Sequence, residues 1–153
     1  MLEGTLAAPG RKIAIVAARF NDFIVSSLLK GATDAWVKNG GAPEELLIAR
    51  VPGAFELPVV ASKLCASKKY DAVIALGCVI RGDTPHFDYV AGECARGLQL
   101  AALEYKIPVI FGVLTVENVD QALERASLTQ GNKGGESMDV ALEMAGLMAR
   151  LSG

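Results

Sequence analysis

Four short apolar runs, each followed by a segment of helical spacing, leave this chain few folds to choose from. The runs are Lys12 to Ala18, a stretch within Glu45 to Val51, Asp71 to Gly77, and Pro108 to Leu114. They are rich in β-formers and nearly continuous in apolar character, the pattern of strands covered on both faces. Continuous apolar strands separated by amphipathic helices predict a parallel sheet between two helical layers. The expectation is an α/β fold, a three-layer α/β/α sandwich around a central four-stranded sheet. At 153 residues the chain fits one domain spanning 1–153.

The helices follow from apolar spacing and from the residues at their ends. Val25, Leu28, Leu29, Ala32, Ala35 and Trp36 form one face, with Asn21 or Asp22 to cap its start and Gly40-Gly41 to end it. A second helix is expected from about Phe55 to Lys69, with Pro58 in its first turn and Val60, Ala61, Leu64 and Cys65 inward. A third carries Phe87, Val90, Ala91, Cys94, Leu98, Ala101, Ala102 and Tyr105 on one face; Thr84 is its N-cap and Pro85 its first helical residue. A shorter helix after Thr115 or Asn118 buries Val119, Ala122 and Leu123. The last, from about Glu136 to Leu151, buries Val140, Ala141, Met144, Leu147, Met148 and Leu151. Residues 1–10 lack a helical pattern and could add an edge strand to a neighbouring subunit.

Composition removes several function classes. A net charge of −2 gives no electrostatic case for nucleic acid or an anionic membrane. No apolar run approaches the roughly 18 residues of a membrane span, and the first residues lack a secretory-signal pattern, so a cytoplasmic protein is expected. Cys65, Cys78 and Cys94 form no C-x-x-C pair, and one histidine makes a zinc site a poor expectation. No P-loop and no G-x-G-x-x-G after a strand is present, so a nucleotide cofactor has no support. Neither a metal nor a cofactor is expected. Hydrophobic residues make up 52% of the chain, and mean hydropathy is +0.35. That is more apolar surface than a chain this small can bury alone, so a homo-oligomer is expected.

Chemistry concentrates after the first three strands. Arg19-Phe20-Asn21-Asp22 follows the first, with an aromatic ring that packing does not require. Val51-Pro52-Gly53-Ala54-Phe55-Glu56 follows the second and pairs another aromatic with a carboxylate. Gly77-Cys78-Val79-Ile80-Arg81-Gly82-Asp83-Thr84-Pro85-His86 follows the third and holds the only histidine. Ligands of open α/β sheets bind at the carboxyl ends of the strands. A helix N-terminus there adds free N–H groups and partial positive charge for an anion. Two aromatics on adjacent strands, with a carboxylate and a histidine nearby, suggest a pocket that stacks a flat polar molecule.

Together these segments, with Phe111-Gly112, Glu124-Arg125-Ala126 and Gly131-Asn132-Lys133-Gly134, resemble the 6,7-dimethyl-8-ribityllumazine synthase family over nearly the whole chain, in order and at family spacing. The resemblance implies a flavodoxin-like fold and the penultimate reaction of riboflavin biosynthesis. In that reaction 5-amino-6-(D-ribitylamino)uracil condenses with 3,4-dihydroxy-2-butanone 4-phosphate, losing phosphate and two waters. It implies that Phe20 stacks on the pyrimidine, that Ala54, Phe55 and Glu56 hold the ribityl side and ring edge, and that Cys78, Val79 and Ile80 give main-chain contacts. Asp83 and Thr84 would help hold the phosphate ester, Arg125 would grip it, and Lys133 would sit close by. His86 would move protons. Phe111, Arg125 and Lys133 would come from a neighbouring subunit, in a pentamer or a shell of twelve pentamers. The resemblance also admits riboflavin synthase as a protein partner. Many members carry a small residue where Asp83 stands; a carboxylate repels phosphate, so Asp83 would contribute only its backbone N–H. The rivals are a non-catalytic flavin-binding or shell-forming protein on this scaffold, which needs neither His86 nor Arg125, and a flavodoxin-like electron carrier, which needs a phosphate loop after the first strand.

Overall fold

The computed structural model describes residues 1–152. Four parallel strands, β1 (Ile13–Ala18), β2 (Leu47–Val51), β3 (Ala72–Ile80) and β4 (Val109–Val116), form one sheet in the order β2-β1-β3-β4. Helices α1 (Asp22–Lys38), α4 (Val119–Ala126) and α5 (Lys133–Ser152) cover one face; α2 (Leu57–Ala66) and α3 (His86–Tyr105) cover the other. This is the expected three-layer, flavodoxin-like α/β/α sandwich. Alternation along the strands splits the core in two. Ile13, Ile15 and Ala17 pack under α1 and α5, while Ala14, Val16 and Ala18 pack under α2.

β1 and β3 are the central strands and are buried almost throughout, which is why their sequences lack polar alternation. β2 is an edge strand, and there the expectation of a covered run fails. Leu47 and Ile48 are exposed; a 3₁₀ turn at Pro43–Glu45 precedes the strand, which lies within the expected Glu45 to Val51. β3 runs three residues past the expected Gly77, so Cys78, Val79 and Ile80 belong to the sheet and not to a loop. Pairing of β3 with β4 continues to Ile80 and Val116 and accounts for the extension. The second helix is shorter than expected, because Ala54–Glu56 forms a separate 3₁₀ turn before α2.

The helix ends hold further corrections. α3 begins at His86, one residue later than expected, with Pro85 in the cap position. Thr84 Oγ1 accepts a 3.4 Å hydrogen bond from the His86 N–H. In α4, Ala122 and Ala126 are buried, but Val119 and Leu123 are exposed. Asn118 caps α4 by accepting from the Gln121 N–H at 2.9 Å. α5 starts at Lys133, three residues early. Its buried face runs through Gly134, Gly135, Met138, Ala141, Leu142, Ala145 and Gly146, leaving Val140 and Leu151 exposed.

Small residues explain that rotation, because they let α5 lie directly on α1. A Cβ at Gly134 would run into the Leu28 carbonyl oxygen. The Gly134-Gly135 part of the glycine-rich stretch thus serves as a helix contact, while Gly131 and Asn132 stay in the join before α5. Gly134→Ala is expected to destabilise the chain by about 1–3 kcal/mol, the usual cost of overpacking a fitted contact. Denaturant unfolding checks this, and an unchanged midpoint would disprove the close contact. The opening segment also packs within the chain. Gly4 lies against Glu143 and Leu147, and the Arg150 guanidinium donates to the Glu3 carbonyl at 2.9 Å.

Candidate active site

In the order β2-β1-β3-β4, the chain winds outward to β2 from one side of β1 and to β4 from the other. The crevice above β1 and β3 is thus the topological switch point, where loops diverge and leave room for a ligand. A cleft of about 830 Å³ opens there. Phe20 and Asn21 line it from the end of β1, residues 52–56 from the end of β2, Cys78, Val79 and Ile80 from β3, and Gly82, Thr84 and His86 from the connection into α3. Phe20 is 71% exposed and Phe55 58%. Two rings held in solvent at a strand edge fit a stacking surface better than a core.

The β1 loop is pinned to β3. Asn21 sits in the left-handed region at φ 62°, ψ 45°, which asparagine tolerates better than most residues. Its amide Nδ2 donates to the Cys78 carbonyl at 2.9 Å, so the side chain bridges strands instead of capping α1 as expected. The Arg19 and Phe20 N–H groups donate to the Val51 and Pro52 carbonyls at 2.7 and 2.9 Å. Together these bonds fix Phe20 between the ends of three strands. The Cys78 side chain packs under α1, and burial pushes its thiol up to about 11. A neutral thiol is a poor nucleophile.

Nine of the expected site residues meet in this cleft: Phe20, Ala54, Phe55, Glu56, Cys78, Val79, Ile80, Thr84 and His86. Asp83 is exposed beside the cleft without lining it. Phe111 lies on the edge strand β4, 38% exposed. Arg125 ends α4, in the opposite helical layer, and makes no ion pair among the described residues. Lys133 opens α5 and lies 3.3 Å from Glu136. Tyr89 and Val90 also line the cleft, and residue spacing signals them: they stand three and four positions from His86 on the same helix. Among the described residues no group of three His, Cys, Asp or Glu side chains is placed to hold a metal ion.

The family model for 6,7-dimethyl-8-ribityllumazine synthase matches residues 10–149. The chain belongs to that family. Lumazine-synthase-type chemistry, as a step in making riboflavin, follows from the membership. The match runs from before β1 to the last turns of α5, so both the cleft and the four expected residues outside it fall within it.

Proposed function

We propose that this protein condenses 5-amino-6-(D-ribitylamino)uracil with (S)-3,4-dihydroxy-2-butanone 4-phosphate to give 6,7-dimethyl-8-ribityllumazine, phosphate and two waters. The observation that carries the reading is the convergence of nine expected residues, drawn from four separate segments, on one cleft at the switch point. Phe20 stacks on the pyrimidine, and the strand-end main chain of Cys78 to Ile80 offers hydrogen bonds to its edge. Ala54, Phe55 and Glu56 take the ribityl side. Asp83, through its N–H, and Thr84 meet the phosphate at the start of α3. Imine formation, phosphate elimination, ring closure and dehydration move protons without changing oxidation state, so His86 and water suffice as proton carriers. Holding the two reactants together contributes the rest of the acceleration. Incubation with both substrates should produce lumazine absorbance and fluorescence. No signal with folded protein would overturn the reading.

The same proposal makes the site a joint product of two subunits, with Phe111, Arg125 and Lys133 supplied by a neighbour. Apolar side chains left in solvent support it: Leu47 and Ile48 on β2, Leu100 and Leu103 on α3, and Val119 and Leu123 on α4. Sedimentation velocity at micromolar concentration should find an assembly of at least five chains and no appreciable monomer. A monomeric, fully active enzyme would disprove sharing. We favour the sixty-subunit shell, because the join between α4 and α5 is only residues 127–132; a discrete pentamer would refute that choice alone. The three free, buried cysteines fit a reducing cytoplasm.

A further inference from the structure

Arg81 has no part in the proposal above, yet it makes more side-chain contacts than its neighbours in the β3–α3 connection. Its guanidinium carbon lies 4.3 Å from the centroid of the Phe87 ring. Nη1 is 3.6 Å from Asp88 Oδ1, and Nε is 3.0 and 3.2 Å from the two carboxylate oxygens of Glu117. Its backbone N–H donates to the Val116 carbonyl at 2.9 Å. Phe87 and Asp88 directly follow His86 in the first turn of α3. Glu117 lies just past β4, and its N–H donates to Gln121 Oε1 at 2.8 Å. One planar group thus joins the turn that carries His86 to the β4–α4 junction.

That turn has little else to hold it. From Arg81 to Tyr89 only Phe87 is partly buried, and the residue in the N-cap position of α3 makes no side-chain capping bond. The Thr84 hydroxyl contact with the His86 N–H is long, at 3.4 Å. An exposed ion pair alone would fix nothing. A guanidinium that stacks on a ring while its edge engages two carboxylates restrains several torsions at once.

We propose that Arg81 is a positioning residue, clasping the first turn of α3 to the β4–α4 junction so that the His86 imidazole is held over the cleft. This rests on the reading of His86 as the proton carrier. Misplacing a reacting group by 1 Å can cost about 10²-fold, and loosening one turn should cost about tenfold in kcat. Three measurements test it in the assembled protein. Hydrogen–deuterium exchange of peptides covering 84–90 should quicken in Arg81→Ala and less in Arg81→Lys, which keeps the charge but loses the plane. Arg81→Ala should lower kcat, leave the pyrimidine KM nearly unchanged, and raise the butanone-phosphate KM at most modestly through Asp83 and Thr84. In a His86→Ala background the same change should have no further effect on kcat, because the two act through one group. Unchanged exchange would overturn the clasp. Equal losses with and without His86 would overturn its action through the imidazole. A wild-type protein that makes no lumazine would sink the assigned reaction instead, and the exchange measurement would still decide the clasp.

Discussion

Turnover in His86→Ala is expected to fall about a hundredfold while both substrates still bind, the low end of what a positioned acid–base is worth. The imidazole lines the cleft from the first turn of α3, and the chain has no second histidine to replace it. The loss stays at the low end for two reasons. Water can carry protons in an open cleft, and part of the acceleration comes from placing the amine and the carbonyl side by side. Steady-state kinetics from about pH 6 to 8 checks it. Turnover equal to wild type at each pH would remove His86 from the mechanism.

Arg125→Lys is expected to raise KM for the butanone phosphate and to leave that for the pyrimidine nearly unchanged. A guanidinium meets phosphate with paired donors in one plane; an ammonium is a point charge on a flexible stem. Losing one charge-assisted hydrogen bond costs about 1.5–3 kcal/mol, or roughly ten- to a hundredfold in kcat/KM. Arg125 lies at the exposed end of α4 without an ion pair among the described residues. If it were only a helix charge, the substitution would move stability by no more than about 0.5 kcal/mol and kinetics not at all. Varying each substrate in turn separates the cases. An equal rise in both KM values would indicate a disturbed interface and defeat the phosphate assignment.

Layer order and the position of the cleft were legible because both follow from periodicity. Strands buried on two faces must be apolar throughout, as β1 and β3 are, and ligand-binding loops follow strand ends. The misread parts depend on neighbours far along the chain. The face of α5 was only partly legible from its large residues, because part of it is glycine and alanine and Gly134 lies directly on the α1 backbone. Met138 and Leu142 do lie on the buried face, but between small residues that carry no hydrophobic signal, so the stripe reads as if rotated toward Val140 and Leu151. Asn21 reads as a helix cap from local sequence, yet its amide reaches a carbonyl 57 positions away. The extension of β3 to Ile80 depends on pairing with β4, which no local signal carries. Within the site, the aromatic and histidine segments were legible as unusual residues at strand ends. Arg125 and Lys133 look like ordinary surface charges, and only the family resemblance proposes a role for them.

The exposed edge of β2 bears on how the chain survives its own synthesis. Leu47 and Ile48 leave apolar side chains beside unpaired backbone donors and acceptors at the rim of the sheet. Such a rim accepts any extended segment, its own kind included, and is a template for aggregation. If the proposed assembly covers that rim, a newly made subunit is most at risk after it has folded and before it has assembled. Expression yield would depend on how quickly subunits find one another more than on the unfolding free energy of each one. A more polar rim would be safer in isolation and slower to assemble.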